Sequence, residues 1–357
     1  MWDKREDMTV YEQDPYNAEP SRRALADRPL TPLDTFYSRN HGTVPQIDAD
    51  DWRLVVDGLV GRELSLSLAD LQTRFERRTT VATLQCAGNR RTGLLAVRDI
   101  PGEAPWGACA TATAAWTGVA LADVLAEAGL DAEAAHIAFV APDLALDAKP
   151  QQPFGGSIPI AKARAGEVLL AWEMNGAPLP PVHGGPVRVV VPGYIGARSV
   201  KWVERVTAQR DESDNYFQAT VYRLLPVGDS PAPGAGVSLG PVALNCDVLR
   251  PCHGERVPAG ATVVTGYAYA GDDRGVVRVD VSTDGGATWV QADLDDQQSP
   301  WSWRLWHTTL DLPAGDTRIV ARAWDTTGAT QPATPAEVWN PKGYVNNSWA
   351  DVTVVAD

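Results

Sequence analysis

The sequence predicts an α+β protein of two domains, a mixed α and β domain followed by a β-sandwich. Three observations carry this prediction. The chain has 357 residues, too long for one typical domain. Helical and strand periodicities alternate through its N-terminal part. After a proline- and glycine-rich stretch at 226–241, only period-two strand patterns remain, with turn signals about every 8–12 residues.

Residues 1–35 are polar, charged and dotted with proline, and are expected to wrap the surface as an extended arm. A first domain is expected over 36–228, a linker over 229–241 and a second domain over 242–357. Trp52-Arg53-Leu54-Val55-Val56 reads as a short strand. Ser67-Leu68-Ala69-Asp70 has the form of a capping box, which starts a short helix through Phe75. Leu121, Val124, Leu125 and Ala128 fall at helical spacing, with Gly129 to end the helix. Arg188-Val189-Val190-Val191 is a β-branched run closed by Pro192-Gly193, the pattern of a buried strand. In the second domain, Val277, Val279 and Val281 alternate with Arg278 and Asp280. Asp284-Gly285-Gly286 is a hairpin turn before Thr288-Trp289-Val290. Ile319, Ala321 and Ala323 alternate with Val320, Arg322 and Trp324. Short strands in this rhythm predict an immunoglobulin-type sandwich.

Hydrophobic residues make up 44% and charged residues 21%, the balance of a chain that buries a core. The net charge of −14 argues against a nucleic-acid or anionic-membrane partner, since both need a basic face. No apolar run reaches the roughly 20 residues of a membrane span. The N-terminus has no secretory h-region, and four cysteines do not make a disulfide scaffold. A cytoplasmic protein with reduced thiols is expected.

The sharpest segment is Thr83-Leu84-Gln85-Cys86-Ala87-Gly88-Asn89-Arg90-Arg91. A strand delivers one cysteine to a glycine-containing turn, followed by two arginines. Neighbouring cations lower a thiol pKa and suit it to nucleophilic attack or soft-metal ligation. A lone cysteine is otherwise most often structural.

This segment resembles the signature of the sulfite oxidase family of molybdenum enzymes. Phe36-Tyr37-Ser38-Arg39-Asn40-His41-Gly42 is similar to the family's Arg-Asn-His segment. Trp172-Glu173-Met174-Asn175-Gly176-Ala177-Pro178-Leu179-Pro180 is similar to a second. The stretch from His183 through Arg188 to Ser199-Val200-Lys201-Trp202 is similar to a third, and Trp339-Asn340-Pro341-Lys342-Gly343-Tyr344 to the closing one.

The resemblance implies a molybdenum–molybdopterin cofactor, no haem and no flavin, with Cys86 as the metal ligand. Cys109, Cys246 and Cys252 lack the flanking pattern. Tyr37, Ser38, Arg39, Asn40, His41, Asp143, His183, Arg188, Ser199, Val200 and Lys201 are implied to contact the cofactor. Arg39, Arg91, Trp106, Tyr222 and Lys342 are implied to form the catalytic pocket, with Tyr216 the competing tyrosine. Lys342 stands where the family carries arginine, which keeps the charge but loses the bidentate fork.

The implied reaction is oxidation of sulfite to sulfate, with electrons passed to an external acceptor, dioxygen or a cytochrome. The second domain is implied to form a homodimer. Trp289, Trp301, Trp303, Trp306 and Trp324 serve that contact or fill the sandwich. Two other readings stand beside this one. One is a related molybdenum enzyme acting on another oxyanion or a sulfoxide, for example nitrate. The other is a non-enzymatic adhesion or interaction protein.

Overall fold

The computed structural model describes residues 2–357. In the first domain, Arg77–Gln85, Thr111–Ala120, Leu169–Met174 and Ala177–Pro178 form an antiparallel sheet, and Arg188–Val190 also pairs with Leu169–Met174. A second sheet runs Leu64–Ser67, Arg53–Gly58, Arg205–Gln209, His136–Ala145 and Gln152–Pro159. It is mixed, because Arg205–Gln209 lies parallel to Arg53–Gly58. The helix Leu68–Arg74 starts as its capping box requires: Asp70 N donates to Ser67 Oγ at 3.0 Å, and Ser67 N donates to Asp70 Oδ2 at 2.9 Å. The helix Leu121–Ala128 buries Leu121, Val124, Leu125 and Ala128 and stops at Gly129, whose φ of +71° suits glycine.

The N-terminal segment is more than a surface arm. Thr9–Gln13 and Tyr16–Glu19 pair as an antiparallel hairpin, and Tyr16–Glu19 is buried throughout. Polar composition concealed this, because the polar groups are spent on backbone donors. Glu19 accepts from Gly107 N at 2.7 Å and Cys109 N at 3.2 Å, and the Tyr11 hydroxyl donates to it at 2.5 Å. The 229–241 stretch is also held down. Val237–Ser238 pairs with Arg223–Leu224, and Arg223 Nη2 donates to Gly236 O at 3.0 Å.

The second domain packs two sheets face to face. One runs Asn245–Arg250, Gly260–Tyr269, Arg304–Leu312 and Asp293–Leu294. The other runs Arg256–Val257, Ala350–Ala356, Gly315–Asp325, Val276–Ser282 and Val290–Gln291. The alternation read at Val277 fails locally. A register shift between Val276 and Arg278 turns Val276 inward and leaves Val277 51% exposed. Asp280 is fully buried and is balanced by Arg278, at 2.7 Å, and Arg322, at 3.6 Å.

The tryptophans divide among three jobs. Trp306 fills the sandwich core. Trp301 and Trp303 join the first domain instead. Trp303 N donates to Thr83 Oγ1 at 2.7 Å, and Thr83 N donates to Trp301 O at 3.0 Å. Trp289 meets Trp349 edge-on at 5.0 Å, with Arg322 3.7 Å over Trp289 and 4.6 Å over Trp324. Beyond the sandwich strands, the segment carrying Asn340 to Ser348 folds back onto the first domain. Val345 N donates to Ala87 O at 2.8 Å, beside Cys86. None of the described helices is long and apolar enough to cross a membrane.

Candidate active site

Cys86 follows the strand Arg77–Gln85, and its N–H donates to Ala110 O at 2.8 Å, which anchors the thiol where the chain turns. Gly88 N donates to the sulfur at 3.4 Å. The two arginines that follow separate. Arg90 takes a left-handed φ of +64° and points into the second domain, where it donates to Ser348 O and Trp349 O, each at 2.7 Å. Arg91 folds back over Gly88, so closely that a Cβ there would lie 2.5 Å from Nη2. The thiol itself departs from the sequence expectation. Burial pushes its pKa up, and the opposing pull of Arg91 and Arg39 is too small to reverse the shift.

Cys86 forms part of the wall of three cavities, two of which carry charged side chains. The first is lined at one end by Ser38, Asp143, His183, Arg188, Ser199 and Lys201. Arg188 is pinned by two carbonyls, donating to His183 O at 2.9 Å and Ser199 O at 2.8 Å. Burial brings its pKa down to about 10. Lys201 donates to Asn40 Oδ1, to Arg39 O at 3.0 Å and to Val182 O at 3.2 Å. Burial, then Arg188, drives its ammonium well below the usual lysine range. Lys4, on the N-terminal segment, donates to His183 Nε2 at 2.7 Å, and burial holds its pKa down to about 7. Such a cluster of desolvated cations is completed by an anion.

The chemistry of this lining fits a molybdopterin. Ser38 Oγ and Asp143 Oδ1 are buried without a hydrogen-bond partner. Unpaired buried polar atoms of this kind call for a ligand. The cations match a phosphate, and the soft sulfur of Cys86 suits molybdenum.

The second cavity, of about 290 Å³, is lined by Cys86 and by Arg39, His41, Arg91, Trp106, Tyr222 and Tyr344, among others. Two groups meet His41 Nδ1: Arg39 Nη2 at 3.0 Å, which can only donate, and the Asp147 carboxylate at 3.3 Å, which can only accept. The shorter arginine contact favours the ring proton on Nε2, 2.7 Å from the Tyr222 oxygen. With that tautomer the Tyr222 O–H can donate into the cavity. Burial, then Arg39, drives the His41 pKa down to about 3, so the ring is neutral at working pH.

Most of the residues read from the sequence are thus brought together. Tyr37 and Asn40 line the first cavity, while Arg39, His41 and Tyr222 line both. Tyr216 lines neither. Two placements differ from expectation. Val200 is buried in the core, and its carbonyl accepts from Val189 N at 2.8 Å. Lys342 does not line the second cavity; its ammonium pairs with Glu103. Tyr344, quoted in the closing motif, was given no role there, and Glu103, Asp147 and Lys4 belong to the site but had no signal in the sequence reading. Each is an ordinary surface residue type whose partner lies far along the chain.

A buried thiol at the junction of a cation-lined cavity and a small basic pocket, on a mixed domain joined to a sandwich, fits a molybdopterin oxidoreductase. Residues 41–217 match the model of the oxidoreductase molybdopterin binding domain, and residues 240–357 match the Mo-co oxidoreductase dimerisation domain. The chain belongs to the sulfite oxidase family of molybdenum–pterin enzymes. It is 43% identical to the sulfite oxidase of Gallus gallus over 96% of this chain and 76% of that protein. It is 43% identical to the mitochondrial sulfite oxidase of Homo sapiens over 97% of this chain, which spans 65% of that protein. The sulfite oxidase of Arabidopsis thaliana is 35% identical, over 96% of this chain and 92% of that protein. The solved sulfane dehydrogenase SoxCD from Paracoccus pantotrophus superposes with a TM-score of 0.83 at 28% identity, covering 99% of this chain and 88% of that one.

Proposed function

We propose that this protein oxidises sulfite to sulfate. The observation that carries the reading is the convergence of Arg39, Arg91 and the Tyr222 hydroxyl on a cavity walled by Cys86. Sulfite and water give sulfate, two protons and two electrons, so an external acceptor, dioxygen or a cytochrome, completes the reaction.

When bound, the molybdenum group supplies oxygen-atom transfer and takes up the electron pair. Cys86 would be its protein ligand. His183, Arg188, Ser199 and Lys201 would hold the phosphate, while Ser38 and Asp143 would take the polar edge of the pterin, with Tyr37, Asn40 and the backbone at Val200 alongside. Arg39 and Arg91 would bind and orient the oxyanion through charge-assisted hydrogen bonds. Tyr222 would donate its proton to an oxyanion oxygen while His41, held neutral, keeps the phenol oriented. Trp106, buried against Tyr11 with ring centroids 4.9 Å apart, would exclude water from one wall.

The four free cysteines support a reducing, cytoplasmic location, which fractionation of cells producing the full chain would test. A panel of sulfite, nitrate and a sulfoxide, run on molybdenum-loaded enzyme with dioxygen or a cytochrome as acceptor, tests the function. Turnover confined to sulfite supports the reading, and turnover of nitrate or sulfoxide without sulfite refutes it.

A further inference from the structure

The cavity beside Cys86 is walled by carboxylates as well as by cations. Glu12 and Asp14 come from the N-terminal hairpin, and Glu103 and Asp147 from loops of the first domain. Glu103 is placed to act on the cations directly. Its Oε1 accepts from Lys342 Nζ, and its Oε2 lies 3.3 Å from Arg91 Nη2. The side chains are 17% exposed for Glu103, 18% for Lys342 and 3% for Arg91, so solvent and salt screen this trio only weakly. Glu103 holds Lys342 away from the cavity wall and offsets part of the charge of Arg91. Arg39 and Arg91 are the cations of the wall, His41 is neutral, and Glu103 is the carboxylate in direct contact with Arg91. The positive charge that an anion meets in the pocket is therefore partly offset.

We infer that Glu103 is a specificity-determining residue that selects the oxyanion by charge. This rests on the sulfite reading of the same pocket. Sulfite takes up a proton near neutral pH and becomes a monoanion, whereas sulfate stays a dianion there. The two are similar in size, so shape alone discriminates poorly between substrate and product. A pocket whose arginines are partly offset by Glu103 disfavours retention of the dianion more than that of the monoanion, which lets sulfate leave. Removing the Glu103 charge exposes both Lys342 and Arg91 to the cavity and makes it a better dianion site.

The test compares molybdenum-loaded wild type with Glu103→Gln, Glu103→Asp and Lys342→Met at fixed ionic strength. Sulfate affinity is read twice, by calorimetry on the resting enzyme and as inhibition of sulfite oxidation. Glu103→Gln should tighten sulfate roughly tenfold or more. Glu103→Asp, which keeps the charge, should stay near wild type, and Lys342→Met should weaken sulfate binding. Unchanged sulfate affinity in folded Glu103→Gln overturns the inference. Should that variant fail to fold, unchanged affinity in Lys342→Met overturns it equally. If wild type leaves sulfite untouched, the function falls, and the calorimetric comparison still decides the role of Glu103.

Discussion

The rings of Tyr222 and Tyr344 stack across the domain boundary, with centroids 5.4 Å apart and planes 25° from parallel. Tyr344 belongs to the segment that folds back from the second domain, and it fixes one face of the phenol. His41 fixes the other end through its 2.7 Å contact with the hydroxyl. The second domain thus helps build the pocket as well as carrying the dimerisation domain match.

Tyr222→Phe keeps the ring, the stacking and the volume but removes the donor. Loss of one donor to developing charge costs roughly 10²-fold or more in kcat. The KM for sulfite should move far less, because Arg39 and Arg91 still bind the anion. A kcat within a factor of a few of wild type would remove Tyr222 from the chemistry.

Cys86→Ser exchanges one atom at a buried turn. The 3.4 Å donation from Gly88 N can pass to the hydroxyl, so the fold should survive, as a thermal melt would report. Sulfite oxidation should fall more than about 100-fold, the upper range for perturbing a ligand's surroundings alone. Metal analysis alongside kinetics separates lost metal from altered metal.

Arg39→Gln and Arg91→Gln should behave differently. Arg39 favours the His41 proton on Nε2, so its loss should raise KM roughly 10- to 150-fold and also lower kcat. Arg91 donates to Gly343 O at 3.1 Å and Ala104 O at 2.8 Å besides facing Glu103. Its loss leaves two carbonyls unpaired, while Glu103 keeps its partner Lys342. Unfolding should become easier by about 2 kcal/mol, measured in urea. Equal stability of the two variants would contradict this division.

Asp143 gives a pH signature. Burial pushes its pKa up to about 7, against the opposing pull of Lys201. An acid shifted this way keeps a proton in the folded state that the unfolded chain releases. Its contribution therefore favours folding at low pH and is lost as pH rises from the ordinary carboxylate range towards 7. In cofactor-free protein, Asp143→Asn should remove a pH-dependent loss on the order of a few kcal/mol. Wild type and variant melting in parallel from pH 4.5 to 7.5 would refute the assignment.

The match of residues 240–357 to a dimerisation domain predicts a homodimer. Sedimentation at micromolar concentration should give twice the 38.3 kDa of one chain. A monomer at that concentration would refute it.

Several features were legible in the residue order because their causes are local. The capping box at Ser67 and Asp70, the stop at Gly129 and the buried run at Arg188–Val190 need only neighbours a few positions away. The Cys86 segment and the motifs around His41 and Lys201 carried the family resemblance as contiguous strings. Composition misled where polar residues serve a neighbour, as Glu19 does for Gly107 and Cys109. The strand alternation misled at Val277, because a bulge depends on the partner strand.

The sequence by itself determined the two-domain α+β class, the thiol that can ligate molybdenum and the set of cations available for an anion. Only the tertiary structure decided which cations face the site and what charge they keep. Arg90 and Arg91 are adjacent, yet one is spent on Ser348 and Trp349 and the other faces the cavity. Lys342 is neutralised by Glu103, and Lys4 reaches His183 across the chain. The physical reason is that a side chain's charge state depends on desolvation and on partners brought near by folding, and neither quantity is local in sequence.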